Sequence, residues 1–487
     1  MAAEADAAAD DTLNGRYYAS SASAAADVAS LPPISHTQSR TQAPLHQLPT
    51  PPMITRIPSA VTCAFVGEGS ANAVFCVVPA NDVDDASDCT PDAQDAADVR
   101  DTQAVKAVKP VKDANPKAAY AGPLSTHLLR IPKAGPGVSP TTCLEHHVYY
   151  SSVLRPLLGA EWLVGQHLVQ GIVSTGVHAV LDGLLQDLDR SHRRRPDWVG
   201  TGVAPNVDVA LLVEDMTSAC KRASSSASTT TTIQCKPKWL VQSPSAPAGA
   251  RRCRTCALSA ASAAASPRLP GKVTTANGAT KGATNGHAGR TAKVDKAHKI
   301  KPCPMVLVAD PPTTPQEEAE LEAALWDYVC KHFGSAVSFP PSSPFATPFN
   351  AATPPVALLK ARPAIIQWLR TTDLFRRIAA IQAEYDPHGA IAVGLETGDA
   401  LDRLQTAMTL RDCTCFLRVT TGLTGDASFS AAPVSVSAKL GDLDRKDGRL
   451  KLARWQAQER ALLAGGFYLG TEEPRQQTRC WLERQRD

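Results

Sequence analysis

The sequence predicts an α+β protein in which short β-branched strands and longer amphipathic helices are separated by long low-complexity runs, and three observations carry this. Val61–Val66 and Ala73–Val78 are apolar, β-branched runs on either side of a glycine turn, the pattern of a hairpin. Thr314-Pro315-Gln316-Glu317 is a capping box with Pro at the first helical position, and Leu321, Leu325, Tyr328 and Val329 then line one face of a helix that stops at Gly334. Ala, Ser, Thr, Pro and Gly crowd several stretches and aromatic residues make up only 5%, so much of the 487-residue chain cannot offset its ordering entropy by burial.

In chain order, residues 1–55 lack periodicity and read as a disordered tail. Between Asn81 and Asp101 eight Asp (82, 84, 85, 88, 92, 95, 98, 101) face one Arg, a self-repelling block that marks an exposed acidic insertion at about 80–118. His127–Ile131 and Val207–Val213 are strand candidates, with helical sequence from about Thr142 to Leu188 between them. Residues 223–232 and 243–301 are Ser/Thr/Ala/Gly-rich and read as low-complexity loops, the second ending in a basic run from Arg268 to Lys301. Pro363–Tyr385 reads as one or two helices, and Ala407–Leu410, Cys413–Val419 and Val434–Leu440 as strands. A last helix runs from about Asp447 to Ala464, before Gly465-Gly466. The expected division is 56–214 and 215–487.

Fifty basic and 47 acidic side chains leave a net charge of only +3, so nothing in the overall charge points to nucleic acid or a membrane, and affinity for an anion must come from local clusters. Thirteen Cys at irregular spacings, with no basic leader at Met1, fit reduced thiols and a nuclear or cytoplasmic protein. No apolar run is long enough to cross a bilayer. A monomer without a membrane or sequence-specific nucleic-acid partner is expected.

The chemistry is carried by an ordered set of motifs. Phosphoryl transfer from ATP needs a backbone lid over the phosphates, a fixed cation, carboxylates for Mg²⁺ and a base beside the acceptor hydroxyl. Gly67-Glu68-Gly69-Ser70-Ala71-Asn72 in the hairpin would let backbone N–H groups approach phosphate oxygens, although Gly-X-Gly in a hairpin is also an ordinary turn. Arg130 stands near the end of a strand, and Ala210–Asp215 is an apolar strand that turns polar at Glu214 and Asp215, suiting a hinge beside adenine. Lys236-Pro237-Lys238 presents two cations at a separation stiffened by Pro, and Arg254 belongs to a further cationic cluster. Asp412 is expected in a turn between strands, and Asp442-Leu443-Asp444 ends a strand beside Lys446.

Together with Leu128–Lys133, Leu211–Thr217, Cys235–Trp239, Arg252–Leu258 and Arg411–Thr414, these motifs resemble the inositol-pentakisphosphate 2-kinase family across about 380 positions. The resemblance implies a two-lobed, protein-kinase-like fold with long disordered insertions, 56–214 forming the nucleotide lobe and 215–487 the inositide- and Mg²⁺-binding lobe. It implies an ATP- and Mg²⁺-dependent transfer to the 2-hydroxyl of inositol 1,3,4,5,6-pentakisphosphate, giving inositol hexakisphosphate. Residue by residue, Asp412 matches the general base, Asp442 the Mg²⁺ ligand with Asp444 as helper, and Lys236, Lys238 and Lys446 the phosphate-gripping cations, with Arg254 and Lys451 as weaker matches. Arg130 matches the cation on the ATP phosphates, and Asp215 the residue that meets adenine. Five phosphates carry about 8–10 negative charges, which requires several converging cations.

The chain departs from the family pattern at Gln234 and at Val306, each standing where relatives carry a carboxylate. A kinase-shaped scaffold that binds inositol phosphates without phosphorylating them is the alternative. Cys253 and Cys256 invite a zinc or redox reading, but two thiols do not complete a tetrahedral site, and thiols packed against a cation-bearing turn are the plainer expectation.

Overall fold

The computed structural model describes residues 54–69, 71–79, 105–107, 123–134, 142–217, 228–265, 302–333, 356–396, 398–422 and 434–484. The expectations for residues 1–53, Ser70, the Asp-rich block and the basic run from Arg268 to Lys301 lie outside these residues.

Two sheets organise the protein. β1 (Ile54–Arg56), β2 (Val61–Glu68), β3 (Asn72–Pro79), β4 (Val105–Ala107), β5 (His127–Pro132), β6 (Gln166–Gln170) and β7 (Val209–Glu214) form a seven-stranded sheet in the order β1-β6-β7-β5-β3-β2-β4. β8 (Ser228–Cys235), β9 (Thr414–Gly422) and β10 (Val434–Gly441) form an antiparallel sheet in the order β10-β9-β8. Alternation fixes which face each strand buries: Val61 and Cys63 of β2 and Ala73, Phe75 and Val77 of β3 point into one core.

The helices are α1 (Cys143–Tyr149), continued through a π turn at Tyr150–Leu154 into α2 (Arg155–Leu158), then α3 (Val177–Arg190), α4 (Arg254–Ala264) and α5 (Pro315–Phe333). They are followed by α6 (Val356–Thr371), α7 (Leu374–Tyr385), α8 (Gly398–Leu410), α9 (Gly448–Ala464) and α10 (Trp481–Arg484). Val177, Leu181, Leu184 and Leu185 give α3 an apolar stripe that closes the core under the large sheet. The small sheet buries Ile233, Leu417, Val419, Ala438 and Leu440 against α5, α6 and α7. The sheets meet where the Val164 N–H donates to the Leu440 carbonyl at 2.9 Å.

The hairpin, β5, β7, β10, α5 and α9 form where the sequence puts them, within a residue or two, and β9 does so at its start but runs three residues further, to Gly422. The capping box of α5 is made in full: the Glu317 N–H donates to Thr314 Oγ1 at 3.1 Å, and the Glu317 carboxylate accepts from the Thr314 N–H at 3.3 Å. Four expectations are corrected. Residues 142–188 are not helical throughout, because Gln166–Gln170 forms β6 between β1 and β7, with Leu168 and Val169 buried. Ala407–Leu410 is not a strand but the last turn of α8, in which Leu401, Leu404, Ala407 and Leu410 recur every three residues and are buried. That correction places Asp412 between a helix and a strand. α6 begins at Val356, so Pro363 lies inside a helix whose Leu358 and Ala361 are already buried. The low-complexity stretches contain regular structure, β8 from Ser228 and α4 from Arg254, and Ile54–Arg56 and Val105–Ala107 pair into the sheet at the edges of the expected tail and acidic insertion.

Among the described residues ten cysteines are free thiols, as expected, whereas Cys76 is disulfide-bonded and departs from the expectation of reduced thiols. Among the described residues no helix is long and apolar enough to cross a membrane.

Candidate active site

A cavity of about 630 Å³, of the size that holds small-molecule ligands, opens between the β2–β3 turn, the ends of β5 and β7, and the C-terminal end of β10. The antiparallel pairing of β9 and β10 sets Gly441 opposite Thr414, so Asp412, two residues before β9 begins, and Asp442, just after β10 ends, emerge side by side. Asp442 has φ 53° and Lys238 has φ 60°, left-handed values that cost a non-glycine residue about 1–3 kcal/mol and are concentrated where surrounding contacts impose them.

Three lysines converge on Asp412. Lys238 Nζ lies 2.9 Å from its Oδ1, Lys446 Nζ 2.9 Å from its Oδ2, and Lys236 Nζ 3.3 Å from Oδ1. Lys236 also reaches Asp442 Oδ2 at 3.0 Å and so links the two carboxylates. Burial would raise the Asp412 carboxyl, but Lys446, Lys238 and Lys236 outweigh it and hold the group well below the usual carboxylate range. Lys236 is moved the other way: burial lowers it, and Asp442 and Asp412 raise it further, keeping it charged.

Asp444 faces the other wall of the cavity. Arg130 of β5 forks onto both of its oxygens, with the Nη1 contact at 2.6 Å, and Asn72 Nδ2 donates to Oδ2 at 3.2 Å. The same guanidinium lies 3.6 Å from Asp442 Oδ1, so one cation touches both carboxylates. Burial raises the Asp444 carboxyl, but Arg130 outweighs it and the net shift is downward. Two hard carboxylates within reach of a single cation are a donor set that fits Mg²⁺.

The other sequence-derived candidates divide clearly. Gly67, Glu68, Gly69, Ala71 and Asn72 line the cavity, as do Glu214 and Lys451, whereas Lys238 reaches it through its contact with Asp412. Glu68 turns its carboxylate to Lys133 (2.9 Å) and Arg194 (2.7 Å), and the Glu214 carboxylate takes Lys439 at 2.6 Å and the Gly165 N–H at 3.1 Å. Lys451 is lowered by burial first and Lys446 second. Asp215 is buried and accepts from the N–H and hydroxyl of Thr217, both at 2.8 Å, and Arg254 is buried against Glu459 at 2.7 Å and over the Trp239 ring, so neither lines the cavity. The Glu214 and Asp215 N–H groups are engaged with the carbonyls of Gly165 and Thr126.

The motifs did not single out His146, whose Nδ1 is 3.9 Å from Asp444 Oδ1 and whose ring is lowered by burial, or Lys439. A capping box at Thr142 and Glu145 puts His146 on α1, and the alternation of β10 gives Lys439 its face, but neither signal names its carboxylate partner. A second cavity, of about 790 Å³, lies against α5 and α6 and is lined by none of these residues.

A family model described as inositol-pentakisphosphate 2-kinase matches residues 65–461, which include the small sheet, the large sheet except β1 and the start of β2, and every carboxylate and lysine of this cavity. The chain belongs to the inositol-pentakisphosphate 2-kinase family. It is therefore a transferase of inositol phosphate metabolism, with ATP as the co-substrate that a kinase requires. No curated protein sequence matches the kinase significantly. The matched segment begins at Phe65, in the strand that leads into the glycine turn, and ends at Ala461 of α9, beyond Lys451.

Proposed function

We propose that the protein transfers the γ-phosphoryl group of ATP to the 2-hydroxyl of inositol 1,3,4,5,6-pentakisphosphate, giving inositol hexakisphosphate and ADP, with the large sheet serving as the nucleotide lobe of a kinase-like architecture and the small sheet carrying the inositide side. The observation that carries this reading is the convergence of Lys236, Lys238 and Lys446 on Asp412 beside Asp442. A substrate with about 8–10 negative charges requires such a cluster, and a transfer requires a base among the cations.

In this mechanism Asp412 accepts the proton of the 2-hydroxyl as its oxygen bonds to the γ-phosphorus and the bond to the ADP oxygen breaks. The three lysines first hold Asp412 far too acidic to be a useful base. Substrate phosphates draw those ammonium groups toward themselves, and the carboxylate regains basicity where the hydroxyl arrives. Asp442 and Asp444 would hold Mg²⁺, which when bound neutralises charge on the transferring phosphates. Arg130 moves part of its hydrogen bonding from Asp444 to the phosphates, and the Gly67–Gly69 backbone covers them. Neither departure, Gln234 or Val306, removes the base, the Mg²⁺ ligands or a converging lysine.

The test is to incubate the protein with ATP, Mg²⁺ and inositol pentakisphosphate and to resolve the products by chromatography, alongside Asp412→Asn. Hexakisphosphate should form with the native chain, and the variant should bind pentakisphosphate yet make almost none. Product at an undiminished rate from Asp412→Asn would remove Asp412 from the role of base.

A further inference from the structure

Lys238 reaches Asp412 from a backbone conformation that lysine rarely adopts. Its φ of 60° is left-handed, and a non-glycine residue keeps such a value only where its surroundings impose it. The residues on either side are held: the Lys236 carbonyl accepts from the Tyr328 hydroxyl of α5 at 3.2 Å, and the Trp239 ring, 6% exposed, lies under the Arg411 guanidinium at 3.5 Å. Neither contact holds the peptide group that follows Lys238.

Gln382 of α7 supplies that hold. Its Nε2 donates to the Lys238 carbonyl at 2.9 Å and its Oε1 accepts from the Leu240 N–H at 3.0 Å, so one planar amide bridges the backbone across Trp239. The two bonds use opposite ends of the amide, which fixes the way it faces. On α7 Leu374, Phe375, Ile378, Ile381 and Gln382 are buried along one stripe, and Gln382 is 0% exposed. A methionine would fill that stripe as well by volume, whereas a buried amide is costly unless hydrogen bonds satisfy it. Those bonds go to the segment that carries two of the converging lysines, 144 residues away from Gln382 at Lys238, so no spacing in the sequence announces the contact.

We propose that Gln382 is a positioning residue for the inositide: it holds Lys238 in the left-handed conformation from which the ammonium reaches Asp412, and so places one of the cations that receive the substrate's phosphates. The proposal rests on the reading of Lys236, Lys238 and Lys446 as the inositide-binding cations. Gln382 is fully buried and does not line the cavity, so it acts through Lys238 and touches no substrate. Without the amide, the Lys238 carbonyl and the Leu240 N–H lose their partner, and the backbone at 238 relaxes toward negative φ. The Cα–Cβ bond then turns and carries the ammonium away from the Asp412 carboxylate, 2.9 Å from it in the native chain.

Equilibrium binding of inositol pentakisphosphate to the full-length chain, with steady-state kinetics beside it, tests this. Gln382→Met keeps the volume and removes both hydrogen bonds; it should bind pentakisphosphate about tenfold more weakly, while KM for ATP stays within about twofold of the native value. A purely structural role would add the same loss in any background, whereas Gln382→Met should add nothing further to Lys238→Met, because the group it positions is gone. Gln382→Glu keeps the size and the acceptor for Leu240 but turns a second oxygen to the Lys238 carbonyl; it should weaken binding likewise, and it carries the decision should Gln382→Met fail to fold. Unchanged binding in a folded Gln382 variant, equal weakening with and without Lys238, or failure of both variants to fold would each overturn the proposal, the last by assigning Gln382 to the fold alone. A native chain that binds no pentakisphosphate, or a Lys238→Met chain that binds it as tightly as the native one, would remove the reading on which the proposal rests, and the proposal with it.

Discussion

Lys236 is tied to Asp412 twice: its ammonium donates to the Asp412 backbone carbonyl at 2.8 Å and lies 3.3 Å from the carboxylate of the same residue. The lysine therefore fixes both the turn that carries the candidate base and the charge of that base. It also holds Asp442 at 3.0 Å, so one side chain sets the separation of two carboxylates carried by different strands at the same end of the small sheet.

Replacing Lys236 with Met should accordingly change more than affinity. Loss of one charge-assisted contact to substrate is worth about 1.5–3 kcal/mol, or roughly 10- to 100-fold in KM for the inositide. Because the Asp412 backbone loses its anchor as well, kcat should fall too. Lys446 contacts the carboxylate alone, so Lys446→Met should act mainly on KM. Steady-state kinetics of the two variants checks this, and identical kcat losses would show that the backbone contact is irrelevant.

The glycine turn supports a prediction about nucleotide that leaves stability aside. A Cβ built at Gly67 or Gly69 meets no atom within 4 Å, and both residues border the cavity. Gly67→Ala and Gly69→Ala should therefore unfold within about 0.5 kcal/mol of the native chain, while KM for ATP rises because the added methyl stands where phosphate approaches the backbone. Urea melts and ATP titrations separate the two effects. Unchanged KM in both variants would remove the turn from the nucleotide site.

What the sequence reveals of this site, and what it conceals, follows from the range of the interactions. The hairpin, Arg130 on β5 and the carboxylates after β10 are legible because strand alternation and turn glycines are local signals. Ala407–Leu410 misleads because a short apolar run fits a strand or a helix end equally, and only packing in α8 decides between them. β6 is hidden for a related reason, since Leu168 and Val169 become strand residues only when β1 and β7 flank them. The partner of Arg254 is 205 residues away and that of Glu214 225 residues away, distances at which no spacing rule operates.

Arg254 thus gives a prediction opposite to the role suggested by its place in a cationic motif. Its guanidinium is buried on Glu459, which also accepts from Ser243 Oγ at 2.6 Å. Arg254→Ala leaves that carboxylate buried without its cation, a loss of about 3–5 kcal/mol. Protein that remains folded should keep a KM for inositide near the native value. A large rise in KM with little change in melting temperature would return Arg254 to the substrate site.

The Arg130–Asp444 pair makes the sign of pH dependence diagnostic. The folded-state pKa of Asp444 is lowered, so its contribution to stability is fully present above the ordinary carboxylate range and is lost as pH falls toward the folded value. Native protein should therefore lose this increment of stability on acidification below about pH 4. In Arg130→Met the cation that most opposes burial is gone, only the smaller effects of His146 and Lys446 remain against it, and the Asp444 carboxyl is expected to rise. A raised folded-state pKa reverses the linkage: the buried carboxylate costs stability at neutral pH, and the protein should regain part of that loss as pH falls through the raised value. Asp444→Asn in the Arg130→Met background should abolish the regained part, because nothing then titrates at that position. Melts of the native chain, the single variant and the double variant across this range test the pair, and parallel stability–pH curves for the native chain and Arg130→Met would mean that Arg130 does not control the charge of Asp444.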